Sequence, residues 1–388
     1  MRTIHVVGFH EFPIRKEYEF LVQCTFIINL CEMFKSRGHT VIYYGDEDAE
    51  GNADAIIPVV KTSDYAQLKV VSNNFSDPRY FMADLNCSKC IKAKVCTTFC
   101  DNLESIFNMN YNQGDVIFTF SISLVNDINI NSTDNVIEIN PFQRGGSSCL
   151  IEHLVFPSVF WYELANSEHD RDDIVSKISN YKTSKVINPW VDTSKFRLID
   201  NVNRSDNTYL YMCRIVEHKG FPRVIGLAAR FPGKRFIIAG NAIDYNSDSN
   251  ILTYLDIDCK SCTIELDNFP NVEYRGIVTG EQKVALLNEV TALLQLSTFT
   301  EPFCINVIEA GCCGTPTYAV NNGCFPEITK VGETRYGSLI NNGAELEMLI
   351  NNGYRWDNQA ISDHFKDKYN SDRAYFEYME YIKELAKN

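Results

Sequence analysis

Ser297-Thr-Phe-Thr-Glu-Pro-Phe-Cys-Ile-Asn-Val-Ile-Glu-Ala-Gly-Cys-Cys-Gly-Thr-Pro316 is the stretch around which the rest of the chain can be ordered. A polar turn at Glu301-Pro302 breaks an extended apolar run. The residues after it predict a helix from near Phe303 to about Cys313, stopped by Gly314, with Pro316 opening a strand over 315–320. Glu301 precedes this helix and Glu309 lies one to two turns inside it. The first amides of a helix have no partners within it and carry partial positive charge, so they form a site for an anion such as a diphosphate. An anion repels a nearby carboxylate unless the carboxylate faces hydroxyls instead. The two features together suit a ligand that carries both, as a nucleotide sugar does.

Composition sets the outer limits. The 388 residues are 45% hydrophobic and 22% charged, which suits a globular protein of two domains, each with its own core. The net charge of -14 argues against a general nucleic-acid binder, which needs a basic face to neutralise phosphates. The opening residues Met1-Arg-Thr-Ile-His-Val-Val-Gly8 read as a strand rather than a signal peptide, because the apolar run is short and His5 interrupts it. No apolar segment reaches the roughly eighteen residues that a spanning helix needs, so a cytoplasmic protein without a transmembrane segment is expected. The 14 cysteines are scattered through apolar segments and read as thiols rather than as a disulfide framework.

Strands alternate with helices along the chain. Ile4–Gly8 is a buried-type strand, a helix is predicted from about Glu17 to Ser36, and His39–Tyr44 is the next strand. Strand, helix, strand in this order requires a crossover and favours a parallel sheet. Residues 115–120, 136–139, 154–156 and 185–188 continue the pattern. The chain then turns polar and loses periodicity over 192–207, most of all at Arg204-Ser-Asp-Asn207, and a second alternating series follows. Its strands are predicted at 209–213, 235–239, 272–274, 292–296 and 316–320, and its helices near 221–231, 280–288 and 303–313. The tail from about Asp357 to Lys387 is helical, charged and rich in Tyr and Phe. The expected domains are 1–191, 192–356 and a helical segment 357–388 that packs back across both.

Five pieces of the second half, in order, carry a resemblance. They are Pro189-Trp-Val191-Asp192-Thr-Ser-Lys-Phe196; Tyr211-Met-Cys-Arg214-Ile-Val-Glu-His-Lys219-Gly220; Ile237-Ile-Ala-Gly240; Asn271-Val-Glu-Tyr-Arg-Gly276; and Glu301-Pro302-Phe303 through Glu309-Ala310, followed by Gly314-Thr-Pro316 and Gly323-Cys-Phe-Pro-Glu327. Over roughly residues 185–345 the chain resembles the donor domain of GT-B retaining glycosyltransferases of family 4, also called glycosyl transferases group 1. The first half resembles them more loosely, through Arg37-Gly38-His39-Thr-Val41 and through Val136-Ile-Glu to Val155-Phe-Pro-Ser-Val-Phe-Trp161, which looks like phage and viral members. The resemblance implies an α/β fold of two Rossmann-like parallel-sheet domains facing a cleft. It also implies transfer of a sugar from a nucleoside-diphosphate donor to a glycan, protein or small-molecule acceptor, with retained configuration and no metal or other cofactor.

The chemistry can be argued from the residues as well. Breaking a sugar–diphosphate bond leaves growing negative charge on the diphosphate, which a metal or fixed cations must stabilise. No convincing Asp-x-Asp pair sits in a strand-end loop, whereas Arg214 and Lys219 fall at a strand end and in the turn before a helix, where open α/β sheets bind ligands. Arg214 can fork onto two oxygens and Lys219 acts as a point charge. Two surface cations near a strand end are the plain alternative. The resemblance implies that this pair grips the diphosphate, that Glu309 accepts from ribose hydroxyls and that Glu301 holds a donor-sugar hydroxyl. Without it, Glu309 is a helix surface residue and Glu301 a capping acid. The backbone of Phe303, Cys304 and Ile305 would face the donor, with Gly240, Ile277 and Val278 near the base. Cys304 is a departure, because relatives have Gly where the backbone approaches the ligand.

On the acceptor side, the loop Gly8-Phe-His10-Glu11-Phe-Pro13 replaces a common Gly-Gly loop, and His10 and Glu11 are its candidates. Gly145-Gly146 reads as a plain turn and His153 as structural. Cys87-x-x-Cys90 with Cys96-x-x-x-Cys100 has the ligand types for a structural zinc but tighter spacing than common zinc modules, so reduced thiols are favoured. Cys259-x-x-Cys262 is a lone pair. A sugar-nucleotide epimerase on the same fold and a non-catalytic sugar-nucleotide-binding or scaffold protein are the competing functions. A dinucleotide dehydrogenase is disfavoured, as no Gly-x-Gly-x-x-Gly follows the first strand.

Overall fold

The computed structural model describes residues 1–8, 14–16, 21–61, 103, 110–120, 135–139, 153–166, 181–258, 260–329 and 336–387. His10, Glu11, Cys87, Cys90, Cys96, Cys100, Gly145, Gly146 and Cys259 lie outside these residues. Two compact units divide the chain: one takes described residues up to Pro189 and from Ser371 onward, the other those from Trp190 to Asn370.

The first unit is built on β1 (Thr3–Val7), α1 (Val22–Lys35), β2 (Thr40–Asp46), β3 (Ala55–Val60), β4 (Val116–Thr119), β5 (Val136–Ile139), β6 (His153–Phe156), α2 (Val159–Asn166) and β7 (Thr183–Val186). Its sheet has the order β3-β2-β1-β4-β5-β6-β7, with every pair parallel. Strands β4, β5 and β6 are buried throughout, as expected of a sheet covered on both faces. Phe34 of α1 stacks on Phe118 of β4. Thr119, Glu138 and His153 are the polar residues of these three buried strands. Glu138 of β5 is 0% exposed, and neither of its carboxylate oxygens has a hydrogen-bond partner.

The second unit contains β8 (Thr208–Met212), α3 (Phe221–Arg230), β9 (Arg235–Ala239), β10 (Asp244–Asn246), β11 (Ile251–Leu255), β12 (Ser261–Glu265), β13 (Val272–Tyr274), α4 (Gly280–Glu289), β14 (Ala292–Gln295), α5 (Ile305–Cys312), β15 (Thr317–Val320), α6 (Phe325–Thr329), β16 (Gly337–Ile340), α7 (Gly343–Asn352) and α8 (Asn358–Lys368). Its main sheet has the order β13-β9-β8-β14-β15-β16, again with parallel pairs. From β8 the chain adds β9 and β13 on one side, then returns to add β14, β15 and β16 on the other. The reversal lies between β8 and β14, and ligands bind open parallel sheets outside the strand ends at such a point. Strands β10, β11 and β12 form a separate antiparallel sheet that the alternating pattern did not predict.

The predicted helix at 303–313 is shorter than expected, covering Ile305–Cys312, because Cys304 is still extended at φ -125 and ψ 97. The tail is two helices rather than one. Helix α8 packs in the second unit, where Ser362 donates to the carbonyl of Cys312 at 2.7 Å and Phe365 lies against Gly311. Helix α9 (Ser371–Leu385) belongs to the first unit. Its buried Ala374, Tyr378, Tyr381, Ile382 and Leu385 recur at helical spacing and form one apolar stripe. Within that unit Tyr378 meets Phe118 edge-on, and Tyr381 shares a 2.8 Å hydrogen bond with Thr183. Among the described residues no helix is long and apolar enough to cross a membrane.

Candidate functional site

The site starts from two loops that leave β8 and β14 on either side of the reversal. After β8 the chain turns through Cys213-Arg214. The Tyr211 hydroxyl donates to the Arg214 carbonyl at 2.8 Å, and the amides of Cys213 and Ile215 bond to the carbonyls of Ala239 and Asn241. Gly240 makes this close approach possible: a Cβ there would lie 1.8 Å from the Cys213 carbonyl oxygen, and its φ is +148. A short turn, Glu217–Lys219, then leads into α3.

The β14 loop is stitched to that turn through one carbonyl. The Thr298 amide and the Ser297 hydroxyl both donate to the His218 oxygen, at 2.9 and 3.0 Å. The consequence is a direct contact between two predicted residues: the Lys219 ammonium lies 2.5 Å from a Glu301 carboxylate oxygen, and both side chains are largely buried. The ammonium also sits 4.5 Å from the centre of the Phe299 ring. A third loop, after β15, props Glu301 from behind. The Cys324 amide donates to the Glu301 carbonyl at 3.0 Å, and a Cβ on Gly323 would lie 2.7 Å from both the nitrogen and the oxygen of Glu301.

Arg214 shares this environment. Burial pulls its pKa down from the ordinary value, and the nearby Glu301 carboxylate works in the opposite direction. Burial likewise pushes the Cys304 thiol well up, with Glu301 adding to the effect, so it is a neutral thiol at physiological pH. Cys304 stands in an ordinary extended conformation, so the backbone itself does not demand glycine there. Phe303 is buried with its ring towards Tyr369, which leaves only its backbone for a ligand.

Helix α5 begins beside these groups with no side-chain cap on its first amides. Its start is held by Asn306, which donates to the Met212 carbonyl at the end of β8 at 2.7 Å. Glu309, one turn further, is buried and paired at 2.6 Å with the ammonium of Lys283 from α4. Gly240 and the exposed Ile277 sit at the ends of β9 and β13, with the Gly240 amide bonded to the Gly276 carbonyl at 2.7 Å, and Val278 follows. The structure thus brings Arg214, Lys219, Glu301 and Cys304 together and sets Glu309 on the neighbouring helix. Gly240, Ile277 and Val278 border the same sheet edge. A separate cavity of about 490 Å³ lies at the opposite edge, lined by Thr208, Arg235 and Val272 at the starts of their strands, far from these groups.

Sequence reasoning missed Lys283. It falls in the first turn of a helix whose neighbours Val284 and Leu287 are core, and a lysine there reads as a solvated side chain. Its one signal was position, in the helix that follows the predicted base-side loop.

Residues 192–352 match the family glycosyl transferases group 1. The chain has the GT-B fold. AviGT4, a glycosyltransferase involved in avilamycin A biosynthesis, is similar over 100% of this chain and 99% of its own, at 17% identity and a TM-score of 0.60. Sucrose-phosphate synthase from Thermosynechococcus elongatus is similar over 100% of both chains, at 13% identity and a TM-score of 0.65. HepE from Anabaena, solved in complex with UDP-glucose, is similar over 100% of this chain and 99% of its own, at 12% identity and a TM-score of 0.55. No curated protein matches by sequence.

Proposed function

We propose that the protein is a glycosyltransferase that moves a hexose-type sugar from a nucleoside diphosphate to an acceptor hydroxyl, with retention of configuration and without a metal. The observation that carries this reading is the placement of Arg214, Lys219 and Glu301 around the reversal of a parallel sheet, beside the uncapped start of α5. As the bond from the anomeric carbon to the diphosphate oxygen breaks, negative charge grows on the leaving group. Arg214 forks onto its oxygens, and Lys219 moves from Glu301 to a phosphate oxygen. The first amides of α5 add partial positive charge. Glu301, released from the lysine, accepts from a hydroxyl of the donor sugar. Retention follows when the acceptor approaches the face that the diphosphate leaves, its proton passing to the departing oxygen. No protein nucleophile is then needed on the opposite face.

HepE, which shares the fold, was solved with UDP-glucose, so that donor heads a panel that also includes other uridine, guanosine and adenosine diphosphate sugars. Wild-type protein without acceptor should slowly release the nucleoside diphosphate from one of them. Lys219→Ala should lower that rate by on the order of 10²–10³, as loss of one charge-stabilising donor does, in a protein that still folds but melts at a lower temperature because Glu301 loses its buried partner. Wild-type turnover in Lys219→Ala would refute the role of Lys219. Donor binding with no turnover by wild-type protein would replace the transferase reading with a binding module.

A further inference from the structure

The antiparallel sheet β10-β11-β12 reaches the turn that carries Lys219 at two points. Leu255, the last residue of β11, forms a parallel bridge with Val216, and both residues are buried. Two positions further on, the Ile257 amide donates to a Glu217 carboxylate oxygen at 3.0 Å. This tie uses backbone only, because the Ile257 side chain is 68% exposed. Tyr254, just before the bridge, meets Phe221 edge-on with ring centres 5.0 Å apart, which joins β11 to the first residue of α3.

The Lys219 turn is thus held from two sides by successive residues. Val216 and Glu217 go to β11 and the residues after it, whereas the His218 carbonyl accepts from Ser297 and Thr298 of the β14 loop. Within the turn, the amides of Lys219 and Gly220 donate to the carbonyls of Val216 and Glu217 at 3.2 and 2.8 Å. Glu217 therefore closes the turn through its carbonyl and anchors it outward through its side chain. Ties to the β14 loop alone would leave the turn free to pivot about the His218 carbonyl. The Lys219 ammonium sits at the end of a four-carbon stem, so a small backbone rotation becomes a large shift at its tip. Misplacing a reacting or charge-bearing group by about 1 Å can cost as much as about 10²-fold in rate.

We propose that Glu217 is a positioning residue for Lys219: held by the Ile257 amide, its carboxylate makes the antiparallel sheet a brace for the turn from which the ammonium reaches the departing diphosphate. This rests on the transferase reading and gives the added sheet a part in the reaction. The test is release of nucleoside diphosphate from the donor that wild-type protein turns over, compared in wild type, Glu217→Ala, Lys219→Ala and the double variant. Glu217→Ala should lower kcat by roughly tenfold and leave KM within about twofold, because the ammonium matters most as charge grows on the leaving group. Glu217→Gln keeps an acceptor oxygen for the Ile257 amide and should stay within about threefold of wild type. In the Lys219→Ala background, Glu217→Ala should change the rate by less than about twofold, because the group it positions is gone. Equal losses in both backgrounds would show a residue that only supports the fold, and they overturn the proposal. A wild-type rate in Glu217→Ala, or a Glu217→Gln variant as slow as Glu217→Ala, overturns it too. Should Glu217→Ala not fold, Ile257→Pro, which deletes the donating amide at a turn position, decides by the same cycle: a loss confined to proteins that keep Lys219 supports the proposal, and any other pattern overturns it. If wild-type protein binds a nucleoside diphosphate but turns over no donor, the transferase reading fails by itself. Calorimetric titration of the same proteins with that nucleoside diphosphate then decides the brace: a loss of affinity from Glu217→Ala only where Lys219 is present supports it, and any other pattern overturns it. No binding and no turnover by wild-type protein removes both.

Discussion

Replacing Glu138 should stabilise the protein, and increasingly so as the pH rises. Its carboxylate lies in β5 with no exposure, and neither oxygen finds a hydrogen bond. Thr119, its register partner on β4, is also buried with an unpartnered hydroxyl. Burial pushes the carboxyl from 4.5 up to about 8. In the unfolded chain the group ionises near its ordinary value, whereas the native protein holds the proton until about pH 8. Between those limits the native state binds more protons, so stability falls as the pH rises through the window and levels off above it. At pH 7 the penalty is about 3 kcal/mol, from about 1.4 kcal/mol for each pH step above the unfolded value. Glu138→Gln removes the titration, and Glu138→Leu also removes the unmade hydrogen bonds, worth about 1–3 kcal/mol more. The assay is denaturant unfolding of wild type and both variants at pH 5, 6, 7 and 8, followed by a signal from the first unit. The variant-minus-wild-type difference should grow from pH 5 to pH 8 in both variants, starting small in Glu138→Gln and already positive at pH 5 in Glu138→Leu. A difference that does not grow with pH, or a leucine variant less stable at pH 8, refutes the argument.

Two further outcomes follow from single residues. Arg204 donates to the carbonyls of Leu287, Val290 and Cys313 and to the Thr315 hydroxyl, and so ties together the ends of α4 and α5. Arg204→Ala should cost about 3 kcal/mol, because it strands buried carbonyls, and an unchanged denaturant midpoint would show that water replaces the guanidinium. Gly323→Ala places a Cβ against the Glu301 backbone at a φ of +60 and should lower donor turnover by roughly tenfold or more by displacing Glu301. Unaltered turnover would mean that the Glu301 loop shifts freely.

Much of the second unit could be read from local pattern. Apolar runs closed by Gly and charged turns located β8, β9, β13 and β14, and the same turns contained Arg214, Lys219 and Glu301. These residues are tied to strand ends, and a parallel sheet sends every strand end to one edge, so their neighbourhood follows from strand order. Lys283 and Glu138, inside a helix and a strand, gave no such signal. Lys283 has the spacing of a surface residue, and nothing local distinguishes a lysine that reaches Glu309 from one that reaches water. Glu138 likewise sits at a position that alternation alone cannot mark as buried on both faces.

By itself the chain's order of residue types determined two strand–helix series, the turns between them and the cations and acids that those turns carry, because periodicity and turn chemistry act over a few neighbours. Only the tertiary structure decided that Lys219 meets Glu301 through the His218 carbonyl, that Lys283 neutralises Glu309, and that α8 and α9 go to different units. Those pairings join residues tens to hundreds of positions apart, and what selects them is the packing of whole elements.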